Sequence, residues 1–347
     1  MARRHILACG CAAIVGAALT HAAGPNNTIT AVDGIKVGHH TLSERPTGCT
    51  VILADGDGAV GGVSQRGGAP GTRETDLLDP LNMVEKVNAI VLAGGSAFGL
   101  DAASGTVKWL DEHNIGYDVR IAKVPIVPAA ILFDLPVGGN PKIRPTADCG
   151  YRAAQAATSD PAQEGSVGAG AGATIGKLGG PGHAIKSGVG SSVIRMPNGL
   201  VVGAIVAVNA VGDIVDPSTG RIVAGVRNDD GSFADARKIL RSGALAAQPR
   251  AGENTTIGLV ATNAKLTKDQ ANRMALMADD GFARAIVPSH TNGDGDTVFA
   301  LATGRWSGSA DITLVGALAA EAMSDAIVRA ATQATGIPGL PALRDLK

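Results

Sequence analysis

The chain has 347 residues, of which 45% are hydrophobic and 18% charged, with 30 Lys and Arg against 31 Asp and Glu. The balanced charge leaves no basic face for a phosphate backbone, so nucleic acid is not an expected partner, and the apolar content excludes a disordered chain. One large domain is the default at this length, and the 48 glycines with only 3% aromatic residues predict close backbone packing and small side chains.

The chain begins with a segment typical of an exported protein. Two arginines precede an apolar run from residue 6 to residue 19, and small residues follow as far as Ala23. This order predicts a signal peptide over residues 1–23 and a single domain over residues 24–347. The run is too short to span a bilayer, so we expect no membrane span and a periplasmic or secreted protein.

Two cysteines follow the signal peptide, Cys49 and Cys149. In an oxidising compartment they could form a disulfide, and as free thiols they would suit buried positions as small apolar residues. The sequence is compatible with both states.

Short apolar runs rich in β-branched residues alternate with helical patterns along the chain. Helical periodicity extends over residues 97–113, and Thr267 with Gln270 forms a capping box that opens a helix running to about residue 286. A final helix is predicted over about residues 314–331. This arrangement indicates an α/β or α+β fold. The runs that predict buried strands are 50–54, 89–93, 200–208, 256–262 and 297–302.

The periodic pattern breaks between residues 242 and 253, where Gly, Ala, Gln and Pro replace it. This stretch ends at Asn254-Thr255-Thr256, immediately before a predicted strand, and we interpret it as a linker. Composition alone does not indicate that the linker is cut.

A stretch of Gly and Ala over residues 167–180 contains one charged side chain, that of Lys177. The stretch fits neither a phosphate loop, because Ala171 stands where the first Gly is required, nor a dinucleotide fingerprint. A Gly-rich strand and turn that brings backbones close together is the better interpretation. Partial burial of Lys177 would lower its pKa and suit it to proton transfer.

Two carboxylates one residue apart, Asp294 and Asp296, lie just before a predicted buried strand. A calcium loop is not matched, because Thr297 stands where Gly is needed. Two interpretations remain: a polar turn whose Asp side chains bond local N–H groups, or a carboxylate pair that orients a nucleophile on a neighbouring strand. Spacing alone favours the turn.

No metal site is expected from the sequence, because the histidines beyond the signal peptide show no metal-ligand spacing. Nor does Ser96 stand in a nucleophile elbow, since Phe98 occupies the position of the closing Gly, and a role as helix cap suits it better. Structural or surface roles are expected for the histidines, which are His39, His40, His113, His183 and His290.

Several stretches are much more specific in combination than any one of them alone. Together they resemble the self-processing peptidases of the DmpA type, a family that includes L-aminopeptidase/D-esterases, β-peptidyl aminopeptidases and nylon-oligomer hydrolases. The resemblance covers nearly all of the chain beyond the signal peptide. The stretches that carry it are 34–39, 47–51, 66–76, 91–100, 127–134, 168–177, 254–258 and 290–297.

The resemblance implies a four-layer α/β/β/α sandwich similar to N-terminal nucleophile hydrolases, assembled into a homo-oligomer of four or more copies. It also implies a precursor cut between Asn254 and Thr255, giving an α chain of residues 24–254 and a β chain of residues 255–347. The catalytic set implied by the resemblance is Thr255 as nucleophile, Lys177 beside it, Asn209 as oxyanion donor, and Asp294 and Asp296 as orienting carboxylates.

Many members of the family carry Tyr where this chain has Phe133. The missing hydroxyl would help to hold an oxyanion in the substrate pocket, so a different substrate preference is expected. The resemblance implies an exported aminopeptidase or amidase that uses no cofactor and acts on short peptides, amino-acid amides or esters. The alternatives are an endo-acting hydrolase of linear amides, of nylon-oligomer or pantetheine type, and a non-catalytic binding protein that retains the fold.

A threonine that heads a chain has chemistry that an internal threonine lacks. Its hydroxyl is a weak nucleophile, but a free α-amine with an ordinary pKa near ~8 can accept the hydroxyl proton. Cleavage before Thr255 would therefore create the general base, and Lys177 would keep that amine unprotonated by like-charge repulsion. Thr256 is the competing nucleophile.

Overall fold

The structure is a computed structural model that describes residues 25–243 and 254–346. The predicted signal peptide and most of the predicted linker lie outside the described residues. The helices are α1 (Ala102–Glu112), α2 (Ala147–Gln155), α3 (Ala236–Ser242), α4 (Lys268–Ala285) and α5 (Ile312–Gln333). The strands are β1 (Ile35–Thr41), β2 (Gly48–Ala54), β3 (Ala59–Gln65), β4 (Thr72–Arg73), β5 (Lys86–Val87), β6 (Ala89–Ala93), β7 (Tyr117–Asp118), β8 (Lys123–Val124), β9 (Ala129–Ile131), β10 (Thr174–Ile175), β11 (Ile185–Lys186), β12 (Val189–Arg195), β13 (Val201–Asn209), β14 (Asp213–Val215), β15 (Ile222–Ala224), β16 (Thr255–Thr262), β17 (Ile286–Val287) and β18 (Thr297–Ala302).

Two large sheets form the centre of the molecule. The first has the strand order β1-β2-β6-β9-β4, and the second has the order β12-β13-β16-β18-β3-β5. Neighbouring strands in both sheets are antiparallel, except that β6 runs parallel to β9 and β16 runs parallel to β18. Smaller sheets are formed by β15-β14-β17, by β10-β11 and by β7-β8.

The two large sheets pack face to face, and each carries helices on its outer face. Successive residues of a strand point to opposite faces, so Ile52 of β2 contributes to the core between the sheets while Val51 packs toward α1 and α2. In the second sheet, Leu259 of β16 faces the space between the sheets and Val260 packs against α4 and α5. The α/β class and the four-layer sandwich are thereby confirmed. Within the described ranges, no helix combines the length and apolar character needed to cross a bilayer.

Most predicted elements are present, with one difference in detail. The capping box is formed, because the Thr267 N–H donates to Gln270 Oε1 at 3.0 Å and α4 begins at the next residue. The helix predicted from residue 97 begins later: a 3₁₀ turn spans Ser96–Asp101, and α1 follows it. Gly95 stands at the N-cap of that turn, so Ser96 is the first residue of the turn and not its cap.

A disulfide joins Cys49 of β2 to Cys149 of α2. Both residues are buried between the first sheet and its helix layer. The two cysteines are 100 residues apart in the sequence. In the chain-entropy description, a cross-link that closes a loop of that size raises the free energy of the unfolded chain by about 4–5 kcal/mol. The disulfide therefore ties α2 to the first sheet.

Candidate active site

Thr255 is the first residue of β16, a strand buried on both faces of the second sheet. It lies opposite Asn209, the last residue of β13, in the antiparallel register. On its other side β16 pairs with β18, which follows directly after Asp296. The sheet therefore brings three separate segments to the start of one strand: the residues before Thr255, the end of β13 and the loop before β18.

The peptide bond before Thr255 has a hydroxyl and an N–H group beside its carbonyl oxygen. The Thr255 hydroxyl donates to the Asn254 carbonyl oxygen. The Gly295 N–H donates to the same oxygen at 3.1 Å and to Thr255 Oγ1 at 3.1 Å. Position 295 must be glycine for this approach, because a Cβ there would lie 2.9 Å from Thr255 Oγ1 and 2.8 Å from the Ala69 carbonyl oxygen.

The carboxylates of the loop hold both the loop and the strand. Asp296 Oδ1 accepts the Thr256 N–H at 2.8 Å, and its Oδ2 accepts the His290 N–H at 3.0 Å. Asp294 Oδ2 accepts the Thr291 N–H at 2.7 Å, whereas its buried Oδ1 has no hydrogen-bond partner among the described residues. Both interpretations of this loop therefore apply, since the side chains bond local N–H groups and Asp296 also fixes the strand that carries Thr255.

Burial and the neighbouring Asp296 affect the ionisation of Asp294. Burial raises the pKa of Asp294 to about 6, the charge of Asp296 acts in the same direction, and Thr291 and the charge of Lys177 oppose the rise. Two buried carboxylates in one site cannot both ionise freely. Asp294 consequently changes its charge close to neutral pH. It lies beside the 254–255 peptide bond, because Asp294 and Asn254 form a parallel β-bridge.

Lys177 and Asn209 form one hydrogen-bonded unit at the end of β13. Lys177 Nζ donates to the Asn209 carbonyl oxygen at 3.0 Å and to its Oδ1 at 2.9 Å. Asn209 Oδ1 also accepts the Thr174 N–H at 3.0 Å, and Nδ2 donates to the Phe133 carbonyl oxygen at 2.9 Å. Phe133 thus contributes through its backbone to the orientation of Asn209, a role that the sequence did not indicate.

A cavity of about 490 Å³ opens beside this unit. Phe133, Lys177 and Asn254 lie in its wall, so the residue before Thr255 and the predicted pocket residue line one space. A mainly apolar cavity with a few polar groups at one end suits an apolar acyl group held next to a nucleophile. The other apolar lining residues include Pro136, Val137, Val211, Ile337, Pro338 and Leu340.

The structure also brings in residues that the sequence analysis did not assign to the site. His290 Nδ1 lies 3.0 Å from Asp296 Oδ2, and its ring stacks on Phe282 of α4. In the sequence, the one indication that His290 belongs to the site is its position in the same loop as the two carboxylates. The set that surrounds the hydroxyl is called the nucleophile cluster below and consists of Thr255, His290, Asp294, Gly295 and Asp296.

The chain is similar to known peptidases and hydrolases along most of its length. Residues 27–342 match the model of peptidase family S58. An uncharacterized aminopeptidase of Mycobacterium tuberculosis (strain H37Rv) is 43% identical over 348 residues, covering 92% of this chain and 98% of the relative. A 6-aminohexanoate-oligomer endohydrolase of Kocuria sp. (strain KY2) is 32% identical over 315 residues, covering 86% of this chain and 84% of the relative.

Solved structures of the same architecture show the fold. A beta-aminopeptidase of Burkholderia sp. matches with a TM-score of 0.69 at 22% identity, covering 93% of each chain. The l-aminopeptidase d-ala-esterase/amidase of Ochrobactrum anthropi, a variant of the Ntn hydrolase fold, matches with a TM-score of 0.68 at 21% identity, covering 94% of this chain and 93% of that one. The resemblance to the DmpA-type peptidases is confirmed: the chain belongs to peptidase family S58 and is a hydrolase acting on peptide or amide bonds.

Proposed function

We propose that the chain is an exported amide hydrolase that cuts its own Asn254–Thr255 bond and then uses Thr255 as an N-terminal nucleophile. One observation carries this proposal. The Thr255 hydroxyl touches the carbonyl oxygen of the bond to be cut, and the Gly295 N–H donates to that same oxygen at 3.1 Å. The nucleophile and an oxyanion donor therefore already lie at the scissile carbonyl of the uncut chain.

Self-cleavage follows as an acyl shift from nitrogen to oxygen. Thr255 Oγ attacks the Asn254 carbonyl carbon and its proton passes to Asp294, whose buried Oδ1 has no described hydrogen-bond partner. The C–N bond then breaks, and the nitrogen takes up that proton and becomes the Thr255 α-amine. Water hydrolyses the resulting ester and frees the hydroxyl. The Gly295 N–H stabilises the oxyanion, a contribution of about 3–4 kcal/mol per donor in comparable sites.

Turnover of a substrate repeats this chemistry with a new proton acceptor. The free α-amine of Thr255 accepts the hydroxyl proton as the oxygen attacks the substrate carbonyl, and it passes that proton to the leaving amine or alcohol as the C–N or C–O bond of the substrate breaks. Water then hydrolyses the acyl ester on Thr255, which releases the acid and restores the hydroxyl. Asn209 Nδ2 has two N–H groups, and the Phe133 carbonyl engages one of them, so the second can serve the oxyanion. Lys177 adds positive charge that disfavours protonation of the α-amine.

The favoured substrates are short peptides, amino-acid amides and esters, from which the enzyme would release the N-terminal residue. The chain shares 43% identity with a relative named as an aminopeptidase. The apolar wall around Phe133 and Val211 would hold the side chain of the released residue. No cofactor enters this chemistry.

Endo-hydrolysis of linear amides is the second candidate, and one observation favours it. The described lining of the cavity contains one charged side chain, that of Lys177, and no carboxylate to pair with a substrate ammonium. Removing the free amine from a substrate separates the two candidates. An aminopeptidase loses its activity when alanine p-nitroanilide is replaced by the N-acetylated compound, whereas an endo-acting enzyme retains or gains activity.

The proposal extends to the mature protein. We expect removal of residues 1–23, chains of 24–254 and 255–347, a periplasmic or secreted location and a homo-oligomer of four or more copies. The disulfide between Cys49 and Cys149 supports export, because such bonds persist in oxidising compartments. Cell fractionation and the mass of the native assembly test these points.

A denaturing gel with intact-mass measurement tests self-cleavage. The purified protein should give two fragments, the smaller beginning at Thr255, and Thr255→Ala should remain one chain. Thr256→Ala is the matched control and should still be cut. An uncut but active protein would overturn the proposed mechanism, and an uncut, inactive protein would indicate a binding protein that retains the fold.

A further inference from the structure

A buried carboxyl group of α4 lies behind the nucleophile cluster. The Asp279 side chain is 3% exposed, and neither of its oxygens has a hydrogen-bond partner in the parts of the chain that the structure describes. Arg66 Nε approaches one of these oxygens, at 3.9 Å. Burial raises the pKa of Asp279 to about 7, against the opposing influence of the Ser64 hydroxyl, His290 and Arg66. A buried carboxyl group with incomplete hydrogen bonding costs stability, so its position needs an explanation.

His290 contacts Asp296 through its ring and also interacts with Asp279, through the charge of that residue and a hydrogen bond to its backbone. Its ring stacks on Phe282 with 5.8 Å between centroids, and its Nδ1 lies 3.0 Å from Asp296 Oδ2. Its backbone φ of +55° is a left-handed conformation that a non-glycine residue keeps only when surrounding contacts hold it. Burial opposes the charged imidazole, but the hydrogen bond and charge of Asp296 and the charge of Asp279 outweigh it, so the pKa of His290 lies above its ordinary value.

We propose that His290, which contacts Asp296 and also interacts with Asp279 of α4, is a positively charged positioning residue that keeps Asp294 ionised beside Thr255. This inference rests on the proposed role of Thr255 as nucleophile. It assigns Asp279 a contribution to the charge of the imidazole at pH values above about 7, where the Asp279 carboxyl group is ionised.

The physical reason is compensation of like charge. An ionised Asp296 disfavours ionisation of Asp294, and a cation in contact with Asp296 weakens that effect. Other charged groups also face this site, namely Arg66 from the end of β3 and Lys177 toward Asp294. His290 is distinguished from them by its direct contact with Asp296, the carboxylate that fixes the Thr256 N–H.

Two measurements test the proposal. The first is the pH midpoint of self-cleavage in His290→Asn, which retains an N–H donor toward Asp296 but carries no charge. We expect the midpoint to rise by roughly one pH unit, the size expected for loss of a neighbouring opposite charge. The second is the NMR titration of His290 in the uncut Thr255→Ala chain, with and without Asp279→Asn. The matched control is Asp280→Asn, which alters the exposed neighbour on the same helix.

Each result decides one part of the proposal. We expect Asp279→Asn to lower the pKa of His290 and Asp280→Asn to leave it unchanged. An unchanged cleavage midpoint in His290→Asn would mean that the ring has a purely structural role, and equal titrations in the two Asp variants would remove Asp279 from the account. If the wild-type chain is never cut, the proposed function fails, and the titration still shows whether His290 is held in its charged form.

Discussion

Two buried polar clusters of this molecule differ in how completely their charged groups are hydrogen-bonded. The first, called the Asp134 cluster, consists of Arg45, Thr47, Asp134 and Lys186. Asp134 binds the Arg45 guanidinium, the Thr47 hydroxyl at 2.5 Å and the Gly95 N–H at 2.9 Å. Lys186 Nζ donates to three backbone carbonyl oxygens, those of Gly170, Ala173 and Ser187. The polar groups of this cluster are satisfied by hydrogen bonds.

The nucleophile cluster is incompletely satisfied by comparison. Asp294 Oδ1 has no hydrogen-bond partner among the described residues, and burial raises the pKa of this carboxyl group to about 6. A buried charge with all its hydrogen bonds formed stabilises one conformation, whereas a carboxyl group with an open acceptor position near neutral pKa is available for proton transfer. Lys186 of the Asp134 cluster also has a pKa near neutral, lowered by burial to about 7, so the open acceptor position of Asp294 is what distinguishes the two clusters. In the proposed mechanism, the Asp134 cluster supports the fold and the nucleophile cluster takes part in the reaction.

The largest expected effect is a difference in the stability lost by variants of the two clusters. Arg45→Met leaves Asp134 buried without its cation and should lower the free energy of unfolding by about 3–5 kcal/mol. Asp294→Asn removes a charge that burial already disfavours, so it should change the free energy of unfolding by less than about 1 kcal/mol. Urea unfolding of both variants in the Thr255→Ala background measures this on a single uncut chain. Equal losses of stability in the two variants would contradict the distinction between the clusters.

The second prediction concerns the close contact at Gly295. Gly295→Ala places a methyl group against Thr255 Oγ1 and displaces the N–H from the scissile carbonyl. Loss of one oxyanion donor costs about 10²–10³-fold in rate, and we expect self-cleavage to slow by that factor. A time course of fragment formation on denaturing gels measures it. Gly182→Ala is the matched control, because its added Cβ would meet no atom within 4 Å and its backbone, like that of Gly295, is outside the left-handed region.

These expectations differ in how far the sequence supports them. Thr255, Asp294 and Asp296 stand in short stretches that carry the family resemblance, and that resemblance, not spacing alone, indicated them as site residues. Strands such as β6 and β18 were predictable because both faces are buried and the apolar run is continuous. The contacts of Gly295 and the carbonyl of Phe133 depend on how distant segments meet, which no local pattern specifies.

β3 illustrates why part of the fold was missed. Its segment contains Gly61 and Gly62, and glycine lowers strand propensity. In the fold, a Cβ on Gly62 would lie 2.4 Å from the Ala271 carbonyl carbon, so glycine permits α4 to approach the sheet. Asp279 on that helix reaches the nucleophile cluster because of this packing, and its role was therefore not visible in the sequence.

The third prediction uses the raised pKa of Asp294. A carboxyl group that accepts a proton must be ionised, and Asp294 is protonated below a pH of about 6. Self-cleavage should therefore slow about tenfold for each pH unit below that value and level off above it. Precursor held at low pH and transferred to a series of buffers gives the rates. A rate that is independent of pH between 4 and 7 would exclude Asp294 as the proton acceptor.

The smallest expected effect concerns the cavity. Phe133→Tyr adds a hydroxyl to the wall while the Phe133 carbonyl keeps its bond to Asn209. We expect kcat/KM for amide substrates to rise by up to about tenfold, the effect of roughly 1.4 kcal/mol of added oxyanion stabilisation. Self-cleavage should not change, because its oxyanion is held by Gly295. Steady-state kinetics and fragment formation, measured on the same preparation, separate the two effects.

The central claim is that a free α-amine and the attacking hydroxyl belong to the same residue, and periodate oxidation tests it most directly. Periodate cleaves the bond between carbons that carry an adjacent amine and hydroxyl, so it converts an N-terminal threonine to an aldehyde and leaves an internal threonine intact. The account predicts that the smaller fragment of the active enzyme gains an aldehyde that reacts with a hydrazide, and that activity is lost in parallel. A fully active enzyme with no hydrazide-reactive fragment would contradict it.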